Sequence, residues 1–260
     1  MKKILITGAN SYIGTSFEKY MEQYDGYQID TLDMMNPEWK NHDFSIYDVV
    51  FHVAGIAHQK ETKENTHLYY KINRDLAIAT AKLVKEAGVK RFVFMSSMSV
   101  YGLDVSKELV NLNTPTNPKT NYGKSKLQAE EEILKLQNDS FTVSIVRPPM
   151  VYGEGCPGNL TKLFDAVRKF HIFPTINNQR SSITVEKLCE EIKYIIDENK
   201  YGIYLPQNDE YMCTYEIVKE QMKKEKVKVL FIPFFNPIIR VMVGKVGLVT
   251  KAFGDLKYER

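Results

Sequence analysis

Apolar and β-branched residues gather in short runs at 3–7, 27–32, 49–54, 91–95 and 141–147, and each run predicts a buried strand. Between them, residues 13–24, 66–87 and 121–137 carry apolar positions three and four apart, the spacing of a helix with one buried face. Strand and helix alternate. That alternation predicts an α/β fold, a Rossmann-type doubly wound parallel sheet with right-handed crossovers and helices on both faces. Past residue 150 the pattern breaks into shorter pieces: a helix at 159–170, a turn at Pro174, a strand at 181–184, and helices starting at Val185 and Thr214. We therefore expect residues 1–150 to form the sheet domain and residues 151–260 a small C-terminal lobe interleaved with it.

A chain of 260 residues can bury a good core in such an arrangement. Its net charge of +3 is small and its lysines are scattered among glutamates, so neither a nucleic-acid footprint nor a polybasic membrane patch is expected. Cys156, Cys189 and Cys213 show neither the paired spacing of a zinc site nor a disulfide framework. Reduced thiols in a cytoplasmic protein without metal are the simple account. The first apolar run is too short for a signal sequence and enters a glycine turn at once. Residues 227–248 are rich in apolar side chains, but Lys228, Pro233, Pro237, Arg240 and Lys245 interrupt them before the roughly 18 uncharged residues a spanning helix needs. No transmembrane segment is expected. This apolar end reads as closing the lobe or a dimer interface, in preference to lying on a membrane surface.

Three stretches carry chemistry. Thr7-Gly-Ala-Asn-Ser-Tyr-Ile-Gly14 makes a glycine-bearing turn from the first strand into the first helix, where backbone N–H groups and a helix N-terminus meet phosphate. Ser96-Ser97-Met-Ser-Val-Tyr-Gly102 ends the fourth strand in hydroxyls. Tyr122-Gly-Lys-Ser-Lys126 sets a phenol and an ammonium four residues apart on one helix face. A free phenol, with a pKa of about 10, is a poor base, and a nearby ammonium is expected to lower that value. Tyr122 can then exchange a proton with a substrate oxygen, while Ser97 donates a hydrogen bond to the same oxygen as an alcohol becomes a carbonyl. A Tyr-x-x-x-Lys pair alone is usually a solvent-facing helical pair. The order of all three stretches, which a doubly wound sheet brings to one carboxyl edge, points instead to hydride chemistry on a nicotinamide cofactor.

Together with His52-Val-Ala-Gly55, Asn73 within Lys-Ile-Asn-Arg-Asp, and Arg147-Pro-Pro-Met-Val-Tyr-Gly-Glu-Gly155, these stretches make the chain resemble, over nearly its whole length, the extended short-chain dehydrogenase/reductase family. The resemblance is to its branch of nucleotide-sugar epimerases, 4-ketoreductases and dehydratases. It implies that Gly8, Ser11 and Gly14 occupy the glycine positions of the dinucleotide turn, with Asn10, Tyr12 and Ile13 beside them. Ser11 departs from the pattern, since glycine is common there. The resemblance implies NAD as cofactor, with NADP as the alternative, and an acidic residue about 20 positions past the turn on the ribose hydroxyls. Asp33 fits that role, although the stretch from Gly14 to His52 is shorter than in most relatives. Ala54, Gly55 and Asn73 are implied to shape the cofactor site with Tyr122 and Lys126, and Arg147 to belong to its floor. Ser97, Tyr122 and Lys126 are the implied catalytic set. Ser97, Ser99, Tyr122, Asn159 and Arg180 are implied to face the substrate, the last two at its diphosphate.

Dehydratases of this branch place an Asp-Glu pair beside the hydride-transfer serine or threonine. Here those positions are Met98 and Ser99, which exchange no proton at useful pH, so elimination is disfavoured. The expected activity is an NAD(P)-dependent 4-ketoreductase of a UDP-linked (N-acetyl)hexose in surface-polysaccharide synthesis, ahead of a UDP-sugar 4-epimerase. Residues 236–256 resemble the terminal segment of bacterial 4-ketoreductases. A non-catalytic NAD(P)-binding regulator is a third reading, which the retention of Ser97, Tyr122 and Lys126 opposes. A homodimer, common among relatives through the helix bearing the catalytic tyrosine, is also expected.

Overall fold

The computed structural model describes residues 1–57 and 61–260. The five expected strands are β1 (Lys2–Thr7), β2 (Tyr27–Leu32), β3 (Val49–His52), β4 (Arg91–Met95) and β5 (Thr142–Val146). They lie parallel in the order β2-β1-β3-β4-β5, and a sixth strand, β9 (Gly202–Tyr204), joins the β5 edge. Register brings Thr7 beside Leu32 and His52, and Met95 beside Val146, so the carboxyl ends of the strands share one edge.

Alternate residues of the strands point to opposite faces, and both faces are covered, which is why the runs read as continuously apolar. Leu5, Val50, Phe92, Phe94, Val143 and Ile145 pack against α3 (Ala77–Glu86) and α4 (Asn121–Leu134). Ile4, Ile6, Phe51, Val93 and Met95 pack on the other face against Phe17 and Met21 of α1 (Tyr12–Met21) and Leu188 and Ile192 of α6 (Val185–Asp197). Thus α6 and β9, far along the chain, return to the sheet.

Two connections differ from the sequence expectation. The helix expected over 66–87 is composite: α2 (Thr66–Leu68), a wider π-helical stretch at Tyr69–Leu76, and α3. Single π-helical turns often mark functional sites. Between β2 and β3 there is no crossover helix, only short 3₁₀ turns at Pro37–Asn41 and Phe44–Ile46, whose Trp39 and Phe44 plug the core. A doubly wound sheet normally carries a further strand outside the second. Here β2 is itself the edge, which is the form the short 14–52 stretch takes.

The remaining chain forms β6 (Met150–Tyr152) pairing with β8 (Ser182–Thr184), and β7 (Ile172–Pro174) pairing with β10 (Leu230–Ile232). The turn expected at Pro174 is thus the end of a short strand. Val167 of α5 (Asn159–Phe170), Phe173, and Val218 and Met222 of α7 (Thr214–Lys224) make a separate apolar cluster. Two short helices follow, α8 (Asn236–Met242) and α9 (Gly247–Phe253). The last residues then run back under the sheet edge, where the Tyr258 hydroxyl donates to the Arg147 carbonyl at 2.8 Å.

Candidate active site

β1 turns into α1 through two left-handed residues, Gly8 (φ 111°) and Asn10 (φ 65°), the second a type that tolerates this region. A Cβ on Gly8 would lie 2.7 Å from the Ala54 nitrogen, so glycine is required for the close passage of these two segments. Ser11 has a local reason to replace glycine. Its extended backbone (φ −75°, ψ 147°) needs no glycine, and its hydroxyl caps α1 by accepting the Gly14 N–H at 3.2 Å. Among the described residues, nothing accepts from the main-chain N–H of Asn10, Tyr12 or Ile13. These amides at a helix N-terminus suit a pyrophosphate. The Tyr12 hydroxyl reaches across to donate to the Glu154 carbonyl at 3.1 Å, tying the turn to the loop after β6. Asp33 follows Leu32, whose carbonyl accepts from Gly8 and Ala9 at 2.9 and 3.1 Å, so the exposed carboxylate stands beside the turn.

α4 begins at the same sheet edge. Thr120 caps it through the Gly123 N–H at 3.0 Å, and the Glu61 carboxylate accepts from the Asn121 and Tyr122 N–H groups at 3.1 and 3.0 Å. An anion there complements the helix dipole. A Cβ on Gly123 would lie 2.6 Å from the Ser99 carbonyl, and this close packing brings Tyr122 to Ser97. The Ser97 hydroxyl also donates to the Ser99 hydroxyl at 3.2 Å.

One turn on, the Lys126 ammonium is buried, donates to the Met95 carbonyl at 2.7 Å and lies 4.7 Å over the Phe94 ring. Gly55 leaves room beside it: a Cβ there would sit 2.9 Å from Asn73 Oδ1 and 3.3 Å from the ammonium. Asn73, in the π-helical stretch, is fully buried. Its amide accepts the Ile56 N–H at 2.8 Å and donates to the Ile56 carbonyl at 3.0 Å and to the Ser125 hydroxyl at 3.4 Å. A helix-interior asparagine is usually a surface residue, but this one fastens the strand-end segment to α4.

The electrostatics of the pair differ from the sequence expectation. Burial pushes the Tyr122 phenol above its ordinary value, the Ser97 hydroxyl opposes this, and Tyr69 adds to it. Lys126 does not lower it, because the ammonium is turned to Met95 and Phe94. Burial instead pulls Lys126 down to about 8, with Glu130 partly opposing. His52 is buried beneath, hydrogen-bonded to Thr7 at 2.8 Å, and burial, then Lys126, push it down to about 3, so the ring is neutral.

The Arg147 guanidinium, implied to belong to the cofactor floor, is held from below: it donates to Glu130 at 2.6–3.2 Å and to the Tyr101 hydroxyl at 3.0 Å. The Ser96 hydroxyl donates to the same carboxylate, so the pair is a strut beneath the serine turn. Arg180 is likewise engaged: Nη1 donates to the carbonyls of Asp104, Thr250 and Gly254 at 3.2, 3.4 and 2.6 Å. That leaves its Nε and Nη2 without a partner among the described residues. Asn159 is exposed at the first position of α5, which has neither a side-chain cap nor an acid in its first turn. Asn159 and Arg180 share neither an element nor a partner.

Glu61 and Glu130 escaped the sequence reading, and His52 entered it only within the His52-Val-Ala-Gly55 motif. Glu130 had a signal, since Tyr122, Lys126 and Glu130 are spaced four apart on one helix stripe. Glu61 had none, because its partners lie far along the chain.

The model of the NAD dependent epimerase/dehydratase family matches residues 4–204. The UDP-glucose 4-epimerase of Vibrio cholerae is 30% identical over 247 residues, 84% of this chain and 74% of that protein. The N-acetyl-alpha-D-glucosaminyl-diphospho-ditrans,octacis-undecaprenol 4-epimerase of Escherichia coli O157:H7 is 26% identical over 253 residues, 89% of this chain and 75% of that protein. Among solved structures, a dTDP-4-dehydrorhamnose reductase from Clostridium acetobutylicum superposes with a TM-score of 0.73 at 24% identity, covering 88% of this chain and 82% of its own.

Proposed function

The chain belongs to the NAD-dependent epimerase/dehydratase family, and from that membership we propose that it is an NAD(P)-dependent 4-ketoreductase of a UDP-linked hexose or N-acetylhexosamine for surface polysaccharide. The observation that carries this reading is the convergence of Ser97, Tyr122 and Lys126 at the carboxyl edge of the sheet, with a phenol that burial keeps protonated. A protonated phenol can give its proton to the C4 oxygen, as reduction requires.

The residues present fit a dinucleotide. The amides of Asn10, Tyr12 and Ile13 would hold its pyrophosphate, Asp33 the adenosine ribose, and Ala54, Gly55, Asn73 and Lys126 the nicotinamide side. When bound, NAD(P)H supplies the hydride. Ser97 donates a hydrogen bond to the sugar C4 oxygen and stabilises the charge that grows on it, and Tyr122 gives that oxygen its proton. Met98 and Ser99 offer no acid–base pair for elimination. Asn159 and the open edge of Arg180 are the candidates for the diphosphate, and Ser99 for a sugar hydroxyl.

A 4-epimerase is the second reading, favoured by the Vibrio cholerae relative. The two separate when the purified protein is denatured and any released nicotinamide nucleotide is identified by chromatography and mass. Near-stoichiometric NAD means an epimerase that regenerates its cofactor in place. Protein that arrives empty, binds NADH or NADPH and consumes it on a UDP-4-keto sugar means the reductase.

Two further results are expected. Lys126 carries its charge below about 8 and loses it above. The logarithm of kcat/KM for reduction should therefore be level below that pH and fall as pH rises through it. A profile flat across this range would remove the Lys126 charge from the mechanism. Asp33 should repel a ribose 2′-phosphate and favour NADH, so Asp33→Ser should narrow the NADH to NADPH ratio of kcat/KM by roughly tenfold, about 1.4 kcal/mol. An unchanged ratio would place the carboxylate elsewhere.

A further inference from the structure

The apolar C-terminal segment closes the lobe only in part. Phe231 meets Tyr215 edge-on, and Phe253 lies tilted against Phe173, with ring centroids 5.3 and 5.7 Å apart. Their neighbours face outward: Phe234 is 77% exposed, Ile238 57%, Val241 65% and Leu248 82%. Ile238 and Val241 stand one helical turn apart on α8, and α8 packs on α9, which carries Leu248.

The charge carried by this segment itself has one sign. Residues 226–254 contain no Asp or Glu, while Lys226, Lys228, Arg240, Lys245 and Lys251 are all exposed. The nearest carboxylates along the chain are occupied. Glu225 pairs with Arg168 at 2.6 Å, and Asp255 accepts the Gln179 N–H at 2.7 Å. Asp104 stands 4.0 Å from Lys251. Beside α8 a cavity of about 550 Å³ is bordered by Arg240, Lys107 and Lys257, with Asp255 its one carboxylate.

Exposed aromatic and aliphatic tips beside Arg240 and Lys245, which make no ion pair among the described residues, on helices too short to span a bilayer, match the chemistry of an anionic lipid surface. A second copy of the same face does not match it, because a two-fold contact would set five cations against five. We propose that α8, α9 and the Phe234 turn dock the protein on the anionic phospholipid surface of a membrane, the apolar tips entering the headgroup boundary and Arg240 and Lys245 meeting phosphate. This docking does not depend on which reaction the site catalyses.

The test is flotation of the full chain with phosphatidylglycerol-containing phosphatidylcholine vesicles and with phosphatidylcholine alone. The protein should float with the anionic vesicles only, and added salt should release it as screening shortens. Arg240→Gln with Lys245→Gln should weaken partitioning by roughly thirtyfold, about fivefold for each charge. Phe234→Ser with Leu248→Ser should weaken it as well. NADH binding, read by fluorescence on the same samples, should stay unchanged because these side chains are remote from the cofactor turn. The absence of flotation with anionic vesicles overturns the proposal, and so does flotation that neither double variant alters. A dimer on gel filtration that Phe234→Ser breaks, without vesicle binding, also overturns it and assigns the surface to a second copy.

Discussion

Tyr122→Phe should lower turnover by roughly a thousandfold while leaving the fold and NADH binding intact, since general acid–base groups contribute about 10²–10⁴-fold. The variant removes one hydroxyl from a side chain whose ring stays packed in place. Its main-chain N–H still binds Glu61, and Thr120 still caps the helix. The expected signature is a loss in kcat with KM nearly unchanged, which marks an interaction made in the transition state. Turnover within tenfold of the parent would show that another group delivers the proton and would sink the proposed mechanism. Unaltered melting distinguishes lost chemistry from lost structure.

Glu130→Gln should produce the largest stability loss, about 3–5 kcal/mol, because it strands a buried guanidinium. Arg147 and Glu130 have side chains only 6% and 1% exposed, so water cannot take over for the missing carboxylate. The midpoint of urea unfolding at constant m-value is the measure. A change below about 1 kcal/mol would mean that the pair is solvated in practice. The double variant Glu130→Met with Arg147→Met should recover most of the loss, since neither charge then has to be desolvated. In Glu130→Gln the high-pH limb assigned to Lys126 should also move to lower pH, because Glu130 is the group that opposes the effect of burial on that ammonium.

Much of the site was legible because its parts are local. The turn from Thr7 to Gly14, the serines after β4 and the Tyr122–Lys126 stripe each lie within a few residues, and alternation of strand and helix dictates which edge they share. The inner strands were legible for a related reason: covered on both faces, β1, β3, β4 and β5 are mostly apolar or β-branched, while the edge strand β2 was marked by its β-branched and aromatic residues. The short strands β6, β7 and β9 were not, since three residues show no period and each is defined by a partner distant in sequence.

Function-bearing side chains divide in the same way. Asn73 in Lys-Ile-Asn-Arg-Asp was noticed by its motif, but its burial depends on the π-helical stretch and on Ile56 meeting it across the fold. Arg147 and Arg180 have partners that the sequence did not show. Sequence gives a guanidinium without its partners, whereas here Glu130 holds Arg147 and three distant carbonyls hold Nη1 of Arg180. The direction of the Tyr122 shift also escaped prediction. Spacing four apart puts the ammonium near the phenol, but the Met95 carbonyl decides where that ammonium points.

The sequence by itself determined the sheet and pointed to the glycine-bearing turn and to Ser97, Tyr122 and Lys126 as candidates, because periodicity and short motifs encode backbone geometry directly. Only the tertiary structure decided which charges are paired, which amides are left open, and which apolar residues at the C-terminal end remain in solvent. Those outcomes depend on burial and on partners from remote segments, and neither is a property of any local stretch of chain.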